Sequence, residues 1–380
     1  MDQSYTSIPK RLPLNEFLPI NIFTEKDKKQ SYDLKTEDNS DHITLSYQTP
    51  VFNQKGRCGH RKFVYMIPQN ISRNQETFEV LGLLQAEMGK KQDGKIVFCN
   101  HEYQLNNKVL HWFDKEFDFP KDEWKWYIKV NINEPEGKHY QTEIEEKVIK
   151  HWIEKTGLSL EMAYPKRVSY IKNTKNKKLR FYDYGTLIFE HRNNLFSQVI
   201  KNLVRKVFYN ILKYSDDEIR WFMKGIIAGE STVEIHKESM KYRVFITANK
   251  EKERKLFQAC LERLGIKSTL YANYKTLVIS KKQNHLKLLE QKLMTLSPKK
   301  YSKFLQMINL YEHFIGRDIW RKNLSSPWNK TNPFTISRII GIHFGEPNLS
   351  RKDLAYVLGI SKSVVDRTVQ DVEKILTSEI

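Results

Sequence analysis

Two carboxylates stand out by where they sit. Glu87 follows Leu81-Gly82-Leu83-Leu84-Gln85-Ala86, and Glu230 follows Lys224-Gly225-Ile226-Ile227-Ala228-Gly229. The surrounding apolar stretches, Thr77 to Gly89 and Asp216 to Gly229, read as helices. In each, small residues lie four apart (Gly82 and Ala86, Gly225 and Gly229) and so share one helix face. A glycine costs about 1 kcal/mol relative to alanine inside a helix, so its repeated use needs a reason. Close approach of two backbones supplies one. Packed that way, the helices bring Glu87 and Glu230 together at one end of the pair. A carboxylate there is opposed by the helix dipole and by its like-charged neighbour. A bound divalent cation relieves both penalties, and carboxylate plus water ligands suit Mg²⁺ (or Mn²⁺). Such an ion activates water and stabilises the leaving oxygen of a phosphodiester. Two acids, one per helix, match a duplex with one scissile bond per strand.

The elements that position these acids recur. After the first helix come a turn at Gln92-Asp93-Gly94, a strand from Lys95 to Asn100, an amphipathic helix from Tyr103 to Phe117 and an alternating strand from Trp124 to Asn131. A helix from Gln141 to Lys155, strands at Arg167 to Ile171 and Leu179 to Glu190, and a helix from Asn194 to Leu212 follow. The second run starts over with Ser215 or Asp216 as N-cap. Its strands span Thr232 to His236 and Lys241 to Ala248, and its next helix, Glu251 to Leu264, is closed by Gly265. Strands at Lys267 to Tyr271 and Lys275 to Ser280 lead into a helix from Asn284 to Met294. The segment from Tyr184 to Asn194 aligns without gaps on Tyr274 to Asn284, so the two runs are an internal repeat. The first copy carries an insertion, placed at about 133–179. Each copy is expected to read helix, two strands, helix, two strands, helix.

The duplicated helix, its glycines and its terminal acid resemble the signature of the LAGLIDADG homing endonucleases, and two copies in one chain resemble the single-chain members of that family. The resemblance spans about residues 76–294. It implies an α+β fold of two pseudo-symmetric αββαββα repeats packed through their first helices, with Gly82, Ala86, Gly225 and Gly229 at the helix interface. It implies that Glu87 and Glu230 bind metal, that each sheet enters the DNA major groove, and that a basic residue after the last strand assists catalysis. Lys281 fills that place in the second copy, with His191 or Arg192 opposite in the first. The sequence departs from the family pattern where the glycine after each acid is Met88 or Ser231, and in the short first hairpin and the insertion.

The rest of the chain fits a polyanionic partner. Its 380 residues carry a net charge of +19, which favours polyanionic partners. Lys125 and Lys129, with Tyr127 and Asn131, form the polar face of one strand; Lys241 and Arg243, with Phe245 and Thr247, form that of another. These faces and Arg192 are the candidate duplex-reading surfaces. Lys166, Arg167, Lys172, Lys175, Lys177, Lys178 and Arg180 make the insertion strongly basic. Residues 1–75 are read as an N-terminal extension without assigned chemistry, with Lys26 to Asp41 as loop and Arg61 to Ile67 as a strand. The repeats are placed at 76–213 and 214–296, and a basic helix and linker at 297–333. Residues 334–380 follow a helix-turn-helix pattern: Ser350 opens one helix, Gly359 makes the turn, Val365 packs on Ala355, and Lys362, Ser363 and Arg367 face the major groove.

The expected activity is metal-dependent, site-specific cleavage of double-stranded DNA by a monomer. The alternative is a non-cleaving transcriptional regulator, because WhiA-type factors resemble a degenerate LAGLIDADG unit joined to a helix-turn-helix. Cys58, Cys99 and Cys260 show no disulfide or metal-ligand spacing. With no apolar run long enough for a signal peptide or a membrane span, a cytoplasmic location and no membrane partner are expected.

Overall fold

The computed structural model describes residues 11–23, 31–53, 56–89, 94–132, 138–172, 184–236, 241–271, 273, 275–312, 333–345 and 349–378. Internal contacts divide the chain into two compact units. The first comprises Met1–Glu230, Lys255–Leu264 and Gln291–Ser297; the second comprises Ser231–Arg254, Gly265–Glu290 and Pro298–Ile380. Among the described residues, no helix is long and apolar enough to cross a membrane.

In the first unit, short strands β1 (Arg11–Pro13), β2 (Asn21–Phe23), β3 (Ser31–Asp33) and β4 (Lys35–Asp38) precede a long hairpin of β5 (His42–Asn53) and β6 (Gly56–Pro68), followed by β7 (Asn70–Ser72). β4, β5 and β6 form a three-stranded antiparallel sheet. The loop expected from Lys26 to Asp41 is therefore replaced, over its described part, by β3 and β4. These strands are three and four residues long, too short for side-chain alternation to register.

Helix α1 (Gln75–Glu87) starts at Asn74, whose side chain accepts from the Thr77 N–H at 3.0 Å. It is followed by β8 (Lys95–Asn100), α2 (Tyr103–Phe117), β9 (Lys125–Ile132), α3 (Lys138–Thr156), β10 (Ala163–Lys172), β11 (Thr186–Arg192), α4 (Asn194–Asn210) and α5 (Asp216–Glu230). The strands form a four-stranded sheet in the order β10-β9-β11-β8. One face buries Trp126, Ile128, Leu187 and Phe189. Beneath it, Phe113 and Phe119 each pack on Trp124 with ring centroids 5.1 Å apart.

In the second unit, β12 (Ser231–His236), β13 (Lys241–Thr247), β14 (Thr269–Tyr271) and β15 (Thr276–Ile279) form an antiparallel sheet in the order β12-β13-β15-β14. The linking helix α6 (Glu251–Arg263) begins in this unit and ends in the first. Helices α7 (Lys282–Glu290) and α8 (Pro298–Glu312) follow. α7 stops short of the expected Met294, with turns from 291 to 296.

The α+β architecture with repeated helix-and-sheet copies holds, and pairing adds a detail that alternation cannot supply. In each sheet the strand before the last helix, β11 or β15, is central. β8 then corresponds to β13, and β9 to β14. Among the described residues the first copy has no counterpart of β12. Its fourth strand is β10, from the inserted segment, which pairs parallel to β9 at the opposite edge. The parallel pairing is possible because α3 supplies the crossover that two parallel neighbours require.

The described residues after 312 form three helices: α9 (Pro333–Gly345), α10 (Arg351–Leu358) and α11 (Lys362–Ser378). Ile339, Leu354, Ala355, Val365 and Val369 form their core. Ser350 caps α10 by accepting from the Asp353 N–H at 3.1 Å, and Gly359 ends it at φ 64°. That left-handed conformation suits glycine and turns the chain into α11.

Candidate nucleic-acid interface and paired carboxylates

α1 and α5 pack backbone to backbone. A Cβ built on Gly82 would lie on the Phe222 carbonyl oxygen and 3.0 Å from the Gly225 Cα. One built on Gly225 would lie on the Glu79 carbonyl oxygen and 2.6 Å from the Leu83 nitrogen. At the end of the seam, a Cβ on Gly229 would stand 2.5 Å from the Ala86 Cβ and 3.2 Å from the Glu87 Cγ. The four small residues thus meet as their spacing requires. The Glu87 side chain lies against Gly229, the residue before Glu230. Each acid is the last residue of its helix and half-buried.

The strand following the first acid supplies part of its surroundings. Asn100, at the end of β8, donates from Nδ2 to Glu87 Oε1 at 3.3 Å. Cys99 lies beside it, its thiol pushed up by burial and by the charge of Glu87, with Lys129 opposing. Met88 is 7% exposed and belongs to the core. Ser231 is also buried, its hydroxyl unpartnered. Farther along the seam, Lys224 of α5 donates to the buried Glu79 of α1 at 2.6 Å, and Lys108 of α2 approaches the same carboxylate at 2.7 Å. Burial raises the Glu79 pKa, but the two lysines outweigh it and hold the group below the usual carboxylate range.

The outward face of the first sheet is set by register. Lys125 pairs with Glu190, Tyr127 with Ile188, and Lys129 with both Thr186 and Ser169. Lys125 and Lys129 are exposed as expected. Arg192 is exposed but bound, donating from Nε to Glu190 at 3.0 Å. Glu190 is 4% exposed and also accepts from Lys95 at 3.0 Å and from the Tyr164 hydroxyl. Burial pushes its carboxyl up, but these three donors outweigh burial and depress it. The sequence reading missed this cluster, although Glu190 falls among the apolar residues of a strand, where an acid needs a partner.

His191 has the opposite parity. Its ring packs on Phe119 at 4.2 Å and on Trp124 at 6.1 Å, its Nε2 is buried without a partner, and burial lowers its pKa. His191 therefore turns its ring toward the aromatic residues beneath the sheet, and of the pair offered opposite Lys281 it is Arg192 that faces outward.

In the second unit, Tyr242, Val244 and Ile246 are buried, while Arg243, Phe245 and Thr247 take the other face of β13. Arg243 lies 3.8 Å from Glu234 of β12, which also meets His236 at 3.0 Å. Lys241 pairs in register with His236. Lys281 is exposed and caps α7 through its carbonyl, which accepts from the Asn284 N–H at 2.9 Å. On α11, Lys362, Ser363 and Arg367 are exposed, and Lys362 lies 3.8 Å from Asp366. Lys175, Lys177, Lys178 and Arg180 lie outside the described residues, as does the linker expected around Pro327.

Residues 217–308 match the family model of the LAGLIDADG-like domain. Among solved structures, the chain is similar to full-length DUF199/WhiA from Thermatoga maritima at 14% identity, covering 80% of this chain and 92% of that one, with a TM-score of 0.30. It is similar to the N-terminal LAGLIDADG domain of DUF199/WhiA at 13% identity, covering 58% and 83%, with a TM-score of 0.32. Variants of the homing endonuclease I-DmoI match at 10% identity, covering 58% and 95%, with a TM-score of 0.27. No curated protein sequence matches the chain significantly.

Proposed function

We propose that the chain binds double-stranded DNA site-specifically as a monomer and hydrolyses one phosphodiester in each strand. The observation that carries this is the glycine seam, which places Glu87 against Gly229 and so beside the helix end that bears Glu230. Among the described residues no third acid, histidine or cysteine completes a protein-only metal cage. That donor set fits Mg²⁺ or Mn²⁺, which is held by one or two carboxylates with water and substrate phosphate filling the remaining positions. Glu87 and Glu230 would hold the ion. When bound, it supplies an activated water and charge stabilisation at the leaving oxygen. Asn100 orients the Glu87 carboxylate. Lys125, Lys129, Lys241 and Arg243 supply contacts to phosphates and bases, and Lys281 assists by its positive charge.

The experiment selects a tightly bound duplex from a random library and incubates it with protein and Mg²⁺ or Mn²⁺. Wild type should cut both strands. Glu87→Gln and Glu230→Gln should each abolish double-strand cleavage while binding stays equal or tightens, because a phosphate-repelling charge is removed. Lys281→Met should slow cleavage less severely.

A second reading is favoured by the compact helix-turn-helix built on Ala355, Gly359 and Val365. There the same fold grips DNA as a transcriptional regulator and does not cut. A selected duplex that is bound yet left intact in both metals establishes that reading in place of the nuclease.

A further inference from the structure

The geometry points to Arg192 as the reader of a single guanine, held in place by Glu190 and by Tyr164 of the inserted strand. Glu190 and Arg192 share one side of β11, because Phe189 and His191 turn to the other. Glu190 lies in register with Lys125 on that side and is nevertheless 4% exposed. An acid so far removed from water keeps its charge only where donors surround it. Three do so here: Lys95 Nζ at 3.0 Å, Arg192 Nε at 3.0 Å and the Tyr164 hydroxyl. The last comes from β10, so the insertion contributes to the surface that the original strands form.

The consequence falls on Arg192. Its Nε is committed to the buried acid, while 65% of its side chain stays exposed. A guanidinium carries its donors in a rigid planar fork, so anchoring Nε limits where the tip can point. An exposed arginine normally gives up its rotamer freedom when a partner binds; this one has given up much of it on folding. Charge then separates the two kinds of acceptor that DNA offers. A phosphate rewards uncompensated positive charge, whereas Arg192 and Lys95 are two cations set against one carboxylate. A base edge rewards fixed geometry. Guanine presents N7 and O6 as two acceptors in the major groove, and paired donors of a fixed arginine match them; each other base offers at most one acceptor there.

The arrangement belongs to the first copy. In the internal repeat Glu190 falls on Ser280 and Arg192 on Lys282, and Tyr164 lies in the insertion. In the second sheet Arg243 stands 3.8 Å from Glu234, beyond hydrogen-bond reach. The bound sequence should therefore carry this guanine on one side of its centre only. Arg192 lies five residues along β11 from Leu187, the partner of Asn100. That is about 17 Å of strand, or about five base pairs of duplex. The assignment rests on the DNA-binding part of the function proposed above and is independent of cleavage.

The test selects a duplex from a random library with the full wild-type chain, then measures binding to that duplex and to every single-base replacement at its guanines. At one guanine wild type should discriminate by roughly 5- to 150-fold. Arg192→Lys keeps the charge and loses the planar fork. It should bring discrimination at that guanine close to unity while the melting midpoint and the salt slope stay as in wild type. Glu190→Gln should relax the same position while affinity for other sequences rises, because a phosphate-repelling charge is gone. Its melting curve shows whether it folds, and where it does not, Arg192→Lys decides alone. Discrimination kept at every guanine by Arg192→Lys overturns the assignment and leaves the general DNA reading intact. So does a salt slope that flattens by about 0.9 in Arg192→Gln with base preference unchanged, which marks a phosphate contact. An unchanged preference in folded Glu190→Gln overturns the positioning role. Failure of wild type to bind any duplex overturns both the assignment and the DNA reading.

Discussion

Replacing Gly225 by alanine should destabilise the protein although alanine is the better helix former. In an exposed helix interior the change gains about 1 kcal/mol. At Gly225 the new methyl group would fall on the Glu79 carbonyl oxygen, 2.6 Å from the Leu83 nitrogen and 2.8 Å from the Gly82 carbonyl carbon. All three neighbours are backbone, so no rotamer change makes room, and α1 and α5 must separate by about 1 Å. Overpacking of a tight core costs about 1–3 kcal/mol, and the upper end applies when backbone must move. The net expectation is a loss of about 2 kcal/mol, which lowers the melting midpoint by about 4–8 °C in a unit of this size. Gly341 of α9 provides the contrast, because a Cβ there would meet nothing within 4 Å; Gly341→Ala should be neutral or stabilising. Calorimetry on both variants tests the argument. A Gly225→Ala melting curve at or above that of wild type would refute the packing of the seam. Gly225→Leu should extend the same loss to several kcal/mol.

Glu218 is buried and accepts from Arg73 Nε at 2.5 Å and from the Ser215 N–H at 2.9 Å. Burial raises its pKa, but Arg73 and Ser215 outweigh burial and depress it. The stability from this pair is therefore fully present above the unfolded glutamate value and is lost as pH falls through the lower folded value. Arg73→Ala should cost about 3 kcal/mol near neutrality by stranding a buried charge, and chemical denaturation should show the deficit shrinking below about pH 4. Truncation after Ser326 removes Lys362, Ser363 and Arg367; affinity should fall and the salt slope should flatten, as fluorescence anisotropy across a salt series would register.

What the sequence disclosed tracks how local each signal is. The glycine seam was legible because close approach demands small residues at fixed spacing, and it recurs in both copies. The turn of the C-terminal unit was legible because Ser350 and Gly359 each satisfy a backbone requirement within their own helix. Strand partners were not: the alternation in β10 says which face is apolar, not that it pairs parallel to β9 at an edge. His191 shows how narrow the margin is, since adjacent strand residues face opposite ways and a site assigned to "191 or 192" straddles both. Among the described part of residues 1–75, most strands went unseen because they are only three or four residues long, too short for alternation to register.

The Glu79–Lys224 pair bears on how the two copies recognise each other. By the repeat's internal correspondence, Glu79 matches Phe222 and Lys224 matches Leu81. The bridge therefore has no counterpart when the two helices are exchanged. If the second helix met another copy of itself, the buried Lys224 would face Phe222, with no carboxylate to take its charge, at a cost of several kcal/mol. If the first helix did so, Glu79 would keep Lys108 but face Leu81. Like the polar residue that sets register in a coiled coil, this ion pair favours unlike pairing over like. Each helix is thus fitted to the other as key to lock, and a copy of itself would be the wrong key.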